Sequence, residues 1–166
     1  MKKVSRISEF SILDWEELTG VEKNLLARAI EARKRAYAPY SRFKVGAAVD
    51  MCHDEFHAGW NVECITHSQC IHAEEAAISR ASPGARVQQV AIALGPEDVE
   101  IVMPPRRTGE EIQSVKQITY TPCGNCLCVL AEHAPEDHPL TVLALQPNGQ
   151  IVKCTLCDLY PAGFSF

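Results

Sequence analysis

No run of eighteen apolar residues occurs in this 166-residue sequence, so no segment of it reads as a transmembrane helix. There is no basic surplus either: 16 Lys and Arg stand against 21 Asp and Glu, a formal net charge of −5. A polynucleotide binder needs a basic face to displace counterions from phosphate, so no nucleic-acid polymer is expected as partner. The small clusters at Lys2, Lys3 and Arg6 and at Lys34 and Arg35 read as solvated surface charge. A secretory leader is not expected, because Glu9, Asp14, Glu16 and Glu17 interrupt the apolar stretch that would have to follow Met1-Lys2-Lys3. Internal repeats and low-complexity tracts are missing too. Eight cysteines would suit a disulfide scaffold only in a much smaller secreted chain. Free thiols in a reducing, cytoplasmic setting are the expectation, some of them holding a metal.

What is present is ordinary globular material, 46% hydrophobic and 22% charged, at a length that suits one domain. Thr19-Gly20-Val21-Glu22 is a capping box, and the apolar residues Val21, Leu25, Leu26, Ala29, Ile30 and Ala36 recur at helical spacing behind it. Pro39 ends that helix by Ala38. Phe43 to Val49 and Glu55 to Trp60 read as strands joined by a turn at Asp50 to Asp54. His72 to Ala81 reads as a helix stopped by Ser82-Pro83-Gly84. Val90 to Leu94 is a continuous apolar run, typical of a strand covered on both faces. Cys123 to Glu132 reads as a helix and Leu140 to Leu145 as a strand. A turn at Pro147-Asn148-Gly149 precedes Gln150-Ile151-Val152. Alternating helices and strands predict an α/β fold with helices on both faces of one mixed sheet. The segment 96–118, with its prolines and a second capping box at Thr108 to Glu111, reads as an inserted loop carrying a short helix.

The chemistry lies in two short motifs. His72-Ala73-Glu74 opens one predicted helix and Pro122-Cys123-Gly124-Asn125-Cys126 opens another. Two cysteines three positions apart at a helix start can aim both sulfurs at one point, and the positive end of the helix favours their thiolates. Cys123, Cys126 and His72 together offer three zinc ligands, leaving the fourth tetrahedral position for water, as in catalytic rather than structural sites. Glu74, two residues from the histidine, is placed to reach that water without binding the metal. His-x-Glu followed by Pro-Cys-x-x-Cys is the signature of zinc-dependent base deaminases.

The likeness goes beyond the metal motifs. Ala38-Pro39-Tyr40-Ser41-Arg42-Phe43-Lys44-Val45-Gly46-Ala47-Ala48 resembles the entry motif of the nucleoside cytidine deaminases. Gly59-Trp60-Asn61-Val62-Glu63 resembles the end of their ribose-binding strand, and Thr155 to Phe164 their closing helix and aromatic tail. Covering roughly residues 20 to 165, the resemblance implies a three-layer α/β/α fold with a five-stranded mixed sheet. The whole of 1–166 would form one such domain, with a flexible or accessory segment at 1–18 and the inserted loop at 96–118. It also implies one zinc per chain, hydrolytic deamination of cytidine or deoxycytidine, a small nucleoside as partner, and a homo-oligomer, a tetramer before a dimer.

Residue by residue, the resemblance makes Glu74 the proton carrier and gives Asn61 and Glu63 the sugar. Phe43 would pack near sugar and base, while the Thr121 carbonyl and the N–H groups of Ala73 and Cys123 would frame the base. Phe164 would reach a base bound in a neighbouring subunit.

Two departures concern the metal, and they belong together. His72 stands where many members have cysteine, and Leu127 where those members place an arginine to offset three thiolates. One histidine and two thiolates are formally neutral on zinc, so no such arginine is needed. His67, where the family often has tyrosine, and the segment 96–118 leave a second substrate class open, another small aminated heterocycle such as a nucleoside antibiotic or modified base. A non-catalytic binding protein on the same fold is the third reading, and retention of Glu74 argues against it. Of the remaining cysteines, Cys128, Cys154 and Cys157 read as packing residues. Cys52, His53 and His57 read as surface groups rather than a second metal site.

Overall fold

The computed structural model of the chain describes residues 7–51, 55–82, 84–101 and 120–160. Its elements run β1 (Ser11–Leu13), α1 (Gly20–Arg33), β2 (Phe43–Asp50), β3 (Phe56–Trp60), α2 (Ala73–Ile78), β4 (Gln89–Pro96), α3 (Gly124–Glu132), β5 (Thr141–Leu145), β6 (Ile151–Thr155) and α4 (Leu156–Leu159).

Helix α1 starts where its capping box places it. The Thr19 hydroxyl accepts the Glu22 N–H at 3.2 Å, and the Glu22 carboxylate accepts the Thr19 N–H at 2.8 Å. The other Glu22 oxygen meets the Lys153 ammonium at 2.7 Å, tying the helix start to β6. The helix ends at Arg33, short of the expected Ala36, because Arg35 and Ala36 bond three residues back instead of four. Helix α2 is also shorter than its expected span of His72 to Ala81, closing through similar tight bonds after Ile78. The turn expected at Asp50 to Asp54 and most of the segment 96–118 fall outside the described residues, at 52–54 and 102–119.

The strands form one mixed sheet in the order β1-β6-β5-β4-β2-β3, with β4 and β5 parallel and all other pairs antiparallel. Six strands replace the five expected. The extra one is β1, whose Ser11, Ile12 and Leu13 pair with Lys153, Val152 and Ile151. Three residues are too few for an alternating pattern to register in the sequence. They come from the segment 1–18, which also contributes the buried Leu18.

The three-layer arrangement is as expected. On one face Leu25, Leu26, Ala29 and Ile30 of α1 cover Ala48, Ala91, Ala93, Leu143 and Leu145. On the other, α2, α3 and α4 cover Val49, Val90, Ile92, Leu94, Val142 and Ala144. Strand β4 is thus buried on both sides, the environment its continuous apolar run implies.

Two glycines set how closely the helices approach the sheet. A Cβ on Gly46 would stand 2.1 Å from the Ala29 carbonyl oxygen in α1. One on Gly59 would stand 2.4 Å from the Ala77 nitrogen and 2.5 Å from the Ala73 oxygen, both in α2. The colliding atoms are backbone, so only movement of a whole helix relieves the contact. Among the described residues no helix is long and apolar enough to cross a membrane.

Gly59→Ala is therefore expected to destabilise the fold by about 1–3 kcal/mol or more. Gly20→Ala, whose Cβ meets nothing within 4 Å, serves as control. Chemical denaturation should show a lower midpoint for the first and no loss for the second; equal midpoints would refute the close-approach argument.

Candidate metal centre and active-site cleft

Both sequence motifs end up at helix starts on the same face of the sheet. His72 is the cap residue of α2 and Cys123 that of α3, while Cys126 lies in the first turn of α3. The Sγ atoms of Cys123 and Cys126 are each 3.3 Å from His72 Nδ1 and 3.6 Å from one another. Tetrahedral zinc, with bonds of about 2.3 Å to sulfur and 2.0–2.1 Å to nitrogen, sets sulfurs about 3.8 Å apart and sulfur about 3.5 Å from nitrogen. The triangle found here fits that ion with small adjustment. Among the described residues it is the one group of three or more potential ligands close enough to share a metal.

A bridge between the two helices supports the ligands. One Glu75 carboxylate oxygen accepts the His72 N–H at 3.2 Å, and the other accepts a short hydrogen bond from the Asn125 side chain. Glu75 thereby holds the first ligand residue and the loop of the other two at once. Its sequence signal was the cap-to-third-position spacing from His72; Asn125 had none.

Glu74 is 4% exposed beside this triangle. Burial raises its carboxyl above the usual carboxylate range, against the pull of its own backbone N–H and of Cys126. Burial also pushes the Cys126 thiol far up, with Glu74 and Cys123 adding to the effect. Glu74 and Cys126, two acids held out of water side by side, keep their protons unless a cation joins them, and a divalent ion among the ligand atoms would supply that charge.

The triad opens into a cleft of about 380 Å³, also lined by Phe43, Asn61, Glu63, Ala73, Glu74, Tyr120 and Thr121. Every site residue expected from the sequence therefore meets here, apart from Phe164, which lies outside the described residues. Asn61 and Glu63 also hold the cleft's own backbone. The Asn61 side chain accepts the Val45 N–H at 2.8 Å and donates to the Phe43 carbonyl at 2.9 Å. One Glu63 oxygen accepts the N–H groups of Tyr40 at 2.8 Å and Ser41 at 3.2 Å. Desolvation opposes the charge on Glu63, but hydrogen bonds from Ser41 and Tyr40 and the proximity of His67 outweigh it, keeping the carboxyl below its usual range. His67 sits on the cleft wall, edge-on to Tyr40 with ring centroids 5.9 Å apart.

Leu127, at the position of the missing arginine, is packed into the core under α3. Cys154 is buried as expected, and burial pushes its thiol up to about 12. Cys128 is exposed rather than core, with its sulfur 3.1 Å from the Tyr160 hydroxyl. Two positions beyond the buried Cys126, it has turned to the outer side of the helix. Cys157 is exposed as well, so it does not pack as expected: it lies on the solvent side of the one-turn α4, which buries Leu156. His57 pairs with Glu55 at 2.7 Å, while Cys52 and His53 lie outside the described residues.

Residues 20–140 match the family described as the cytidine and deoxycytidylate deaminase zinc-binding region. A cytidine deaminase of Halalkalibacterium halodurans is 34% identical over 141 residues, covering 85% of this chain and 92% of that protein. One from Sporosarcina psychrophila is 30% identical over 146 residues, covering 87% and 91%. Among solved structures, cytidine deaminase from Burkholderia pseudomallei superposes with a TM-score of 0.62 at 28% identity, covering 89% of this chain and all of that one. The Mycobacterium tuberculosis enzyme gives 0.60 at 27%, covering 93% and 99%.

Because burial keeps the Cys126 thiol protonated in the metal-free site, zinc binding must displace that proton. Zinc added near neutral pH is expected to release about one to two protons per ion, and its apparent affinity to weaken as pH falls. Indicator-dye titration measures the first and competition with a chelator the second. Binding without proton release, or with affinity flat across pH, would remove the thiols from the ligand set.

Proposed function

The chain belongs to the zinc-binding cytidine and deoxycytidylate deaminase family, and we propose that it hydrolyses the exocyclic amine of cytidine or deoxycytidine, giving uridine or deoxyuridine and ammonia. The observation that carries this reading is a buried carboxyl, Glu74, beside a three-ligand zinc triangle at the end of a nucleoside-sized cleft. A zinc ion held by His72, Cys123 and Cys126 supplies the Lewis acidity that makes water a nucleophile near neutral pH.

The remaining work falls to the chain's own groups. Water adds at C4 of the pyrimidine, and ring N3 must gain a proton as the C4–N3 double bond opens. Glu74 gives N3 that proton and takes one from the water. It then passes this proton to the exocyclic nitrogen and takes up the remaining proton of the C4 hydroxyl as the carbonyl forms and ammonia leaves, which returns Glu74 to its protonated starting state. Such alternation needs a carboxyl whose pKa lies near working pH, and burial of Glu74 shifts it that way. The N–H groups of Ala73 and Cys123 and the carbonyl of Thr121 frame the base edge, with Phe43 against its face. Asn61 and Glu63 take the sugar, each keeping acceptor capacity beyond the backbone bonds described above.

The finer reading is a cytoplasmic homo-oligomer, a tetramer before a dimer, acting on a small nucleoside and not on a polymer. Support for the oligomer is the exposure of apolar side chains on the segments that flank the cleft, with Tyr37, Tyr40, Ile65 and Ile71 at 59%, 50%, 74% and 48%. Exposed apolar residues grouped in this way are typical of a face covered by another subunit. Phe164 is then the residue that reaches a neighbour's cleft.

Incubation of zinc-loaded protein with cytidine and deoxycytidine should release ammonia in step with loss of the 4-amino chromophore. Glu74→Gln should cut kcat by roughly 10²–10⁴-fold with zinc content unchanged. Near-normal turnover in that variant sinks the proton-carrier role. For the shared site, Phe164→Ala mixed with Glu74→Gln under subunit exchange should regain activity that neither parent has. A fully active monomer in sedimentation would overturn it.

A further inference from the structure

Tyr120 and Gln146 belong to neither sequence motif, yet the structure joins them at the cleft. Gln146, directly after β5, is 2% exposed. Its side-chain amide donates to the Tyr120 carbonyl at 2.8 Å, and its amide oxygen accepts the Tyr120 N–H at 3.1 Å. Both ends of one buried amide thus meet the Tyr120 backbone, with a second, longer donation to the Ala144 carbonyl at 3.5 Å, an arrangement that fixes the peptide's place and its orientation together.

The residue so fixed faces the substrate space. Tyr120 lines the cleft, and its ring lies 5.1 Å from that of Phe43, centroid to centroid, at an interplanar angle of 49°. The two rings do not form parallel plates. They make a corner, with Phe43 supplied by the start of β2 and Tyr120 by the segment that leads into Thr121 and Cys123. Phe43 is also pinned through its backbone, by Asn61 and by the Ser41 hydroxyl at 3.0 Å. Both walls are therefore held by their peptides, leaving each ring to meet a ligand.

We propose that Tyr120 is a specificity-determining wall of the site, a second aromatic surface for the planar ring of the substrate, and that Gln146 is the positioning residue that holds it there. The proposal rests on the deaminase reading. An aromatic corner binds a flat, π-faced ring by its shape and face rather than by hydrogen-bond pattern. It therefore acts mainly on substrate affinity, whereas Glu74 and the ligand triad act on the chemical step. The link from Gln146 to the cleft runs through the Tyr120 peptide, and the two rows of atoms needed, one donor and one acceptor, define what a replacement must retain.

The test compares zinc-loaded parent, Tyr120→Phe, Tyr120→Ala, Gln146→Leu and Gln146→Glu on cytidine, with zinc content measured for each. Tyr120→Ala should raise KM roughly 10- to 100-fold with a smaller effect on kcat, and Tyr120→Phe, which keeps the ring, should raise it less than Tyr120→Ala does. Gln146→Leu should also raise KM with zinc retained. In Gln146→Glu the buried carboxyl keeps its proton at low pH and can still donate to the Tyr120 carbonyl, then loses that donor when ionised. Its activity relative to parent should be close to normal at about pH 6 and fall toward the Leu variant by about pH 9. A parent-like KM in Tyr120→Ala or Gln146→Leu overturns the proposal. So does loss of zinc alongside activity in Gln146→Leu, which would place the residue's effect on the metal loop. Should Gln146→Leu fail to fold, Tyr120→Ala and the pH profile of Gln146→Glu still decide. An active parent with parent-like variants overturns this proposal alone; an inactive parent overturns the deaminase reading, and this with it.

Discussion

The parallel pairing of β4 with β5 is the constraint from which the site follows. Parallel neighbours cannot be joined by a tight turn, so the chain must cross over the sheet between them. The crossover here carries α3 onto the face already occupied by α2, and the two helices pack beside one another there. Their starts then converge, and His72 comes within bonding range of cysteines more than fifty positions away. The approach is tight because β3 has glycine at position 59, where any side chain would strike the backbone of α2. Register, crossover and one missing Cβ together build a metal site that neither motif holds alone.

Electrostatics makes that site a unit. Glu74, Cys123 and Cys126 are brought together with two of the three out of water, and burial alone would keep the acidic pair protonated. A divalent cation would reverse the balance for the Cys126 thiol, while the Glu74 carboxyl, which is not one of the three ligands, keeps its oxygens available for proton transfer. Histidine as the third ligand leaves the centre neutral, so position 127 has no counter-charge to supply and can serve the core as leucine. Glu75 spans the two helix starts and gives the ligand loops a common support. Ligand choice, core packing and proton affinity here are three consequences of one charge count.

Local chemistry was readable before any coordinates. Thr19 and Glu22 announced the start of α1, Val90 to Leu94 announced a doubly covered strand, and the His-x-Glu and Pro-Cys-x-x-Cys motifs announced a zinc-deaminase centre. Each of these signals lies within a few consecutive residues, where spacing and side-chain type are enough. Strand β1 escaped because three residues carry no period, and its identity comes only from the edge of β6. The exposure of Cys128 escaped because an apolar-looking helix does not say which of its faces meets the sheet.

The sequence by itself determined every strand and helix of the core sheet except β1, and it supplied the ligand types and the candidate proton carrier, since these depend on side-chain chemistry and short-range spacing. Only the tertiary structure decided that Asn61 and Glu63 brace the cleft backbone, that Glu75 and Asn125 link the ligand loops, and that Gln146 reaches Tyr120 across 26 positions. Those are contacts between distant segments. A buried amide gives no sign in the sequence of which peptide it will hold, because its partner is chosen by the order and direction of the strands.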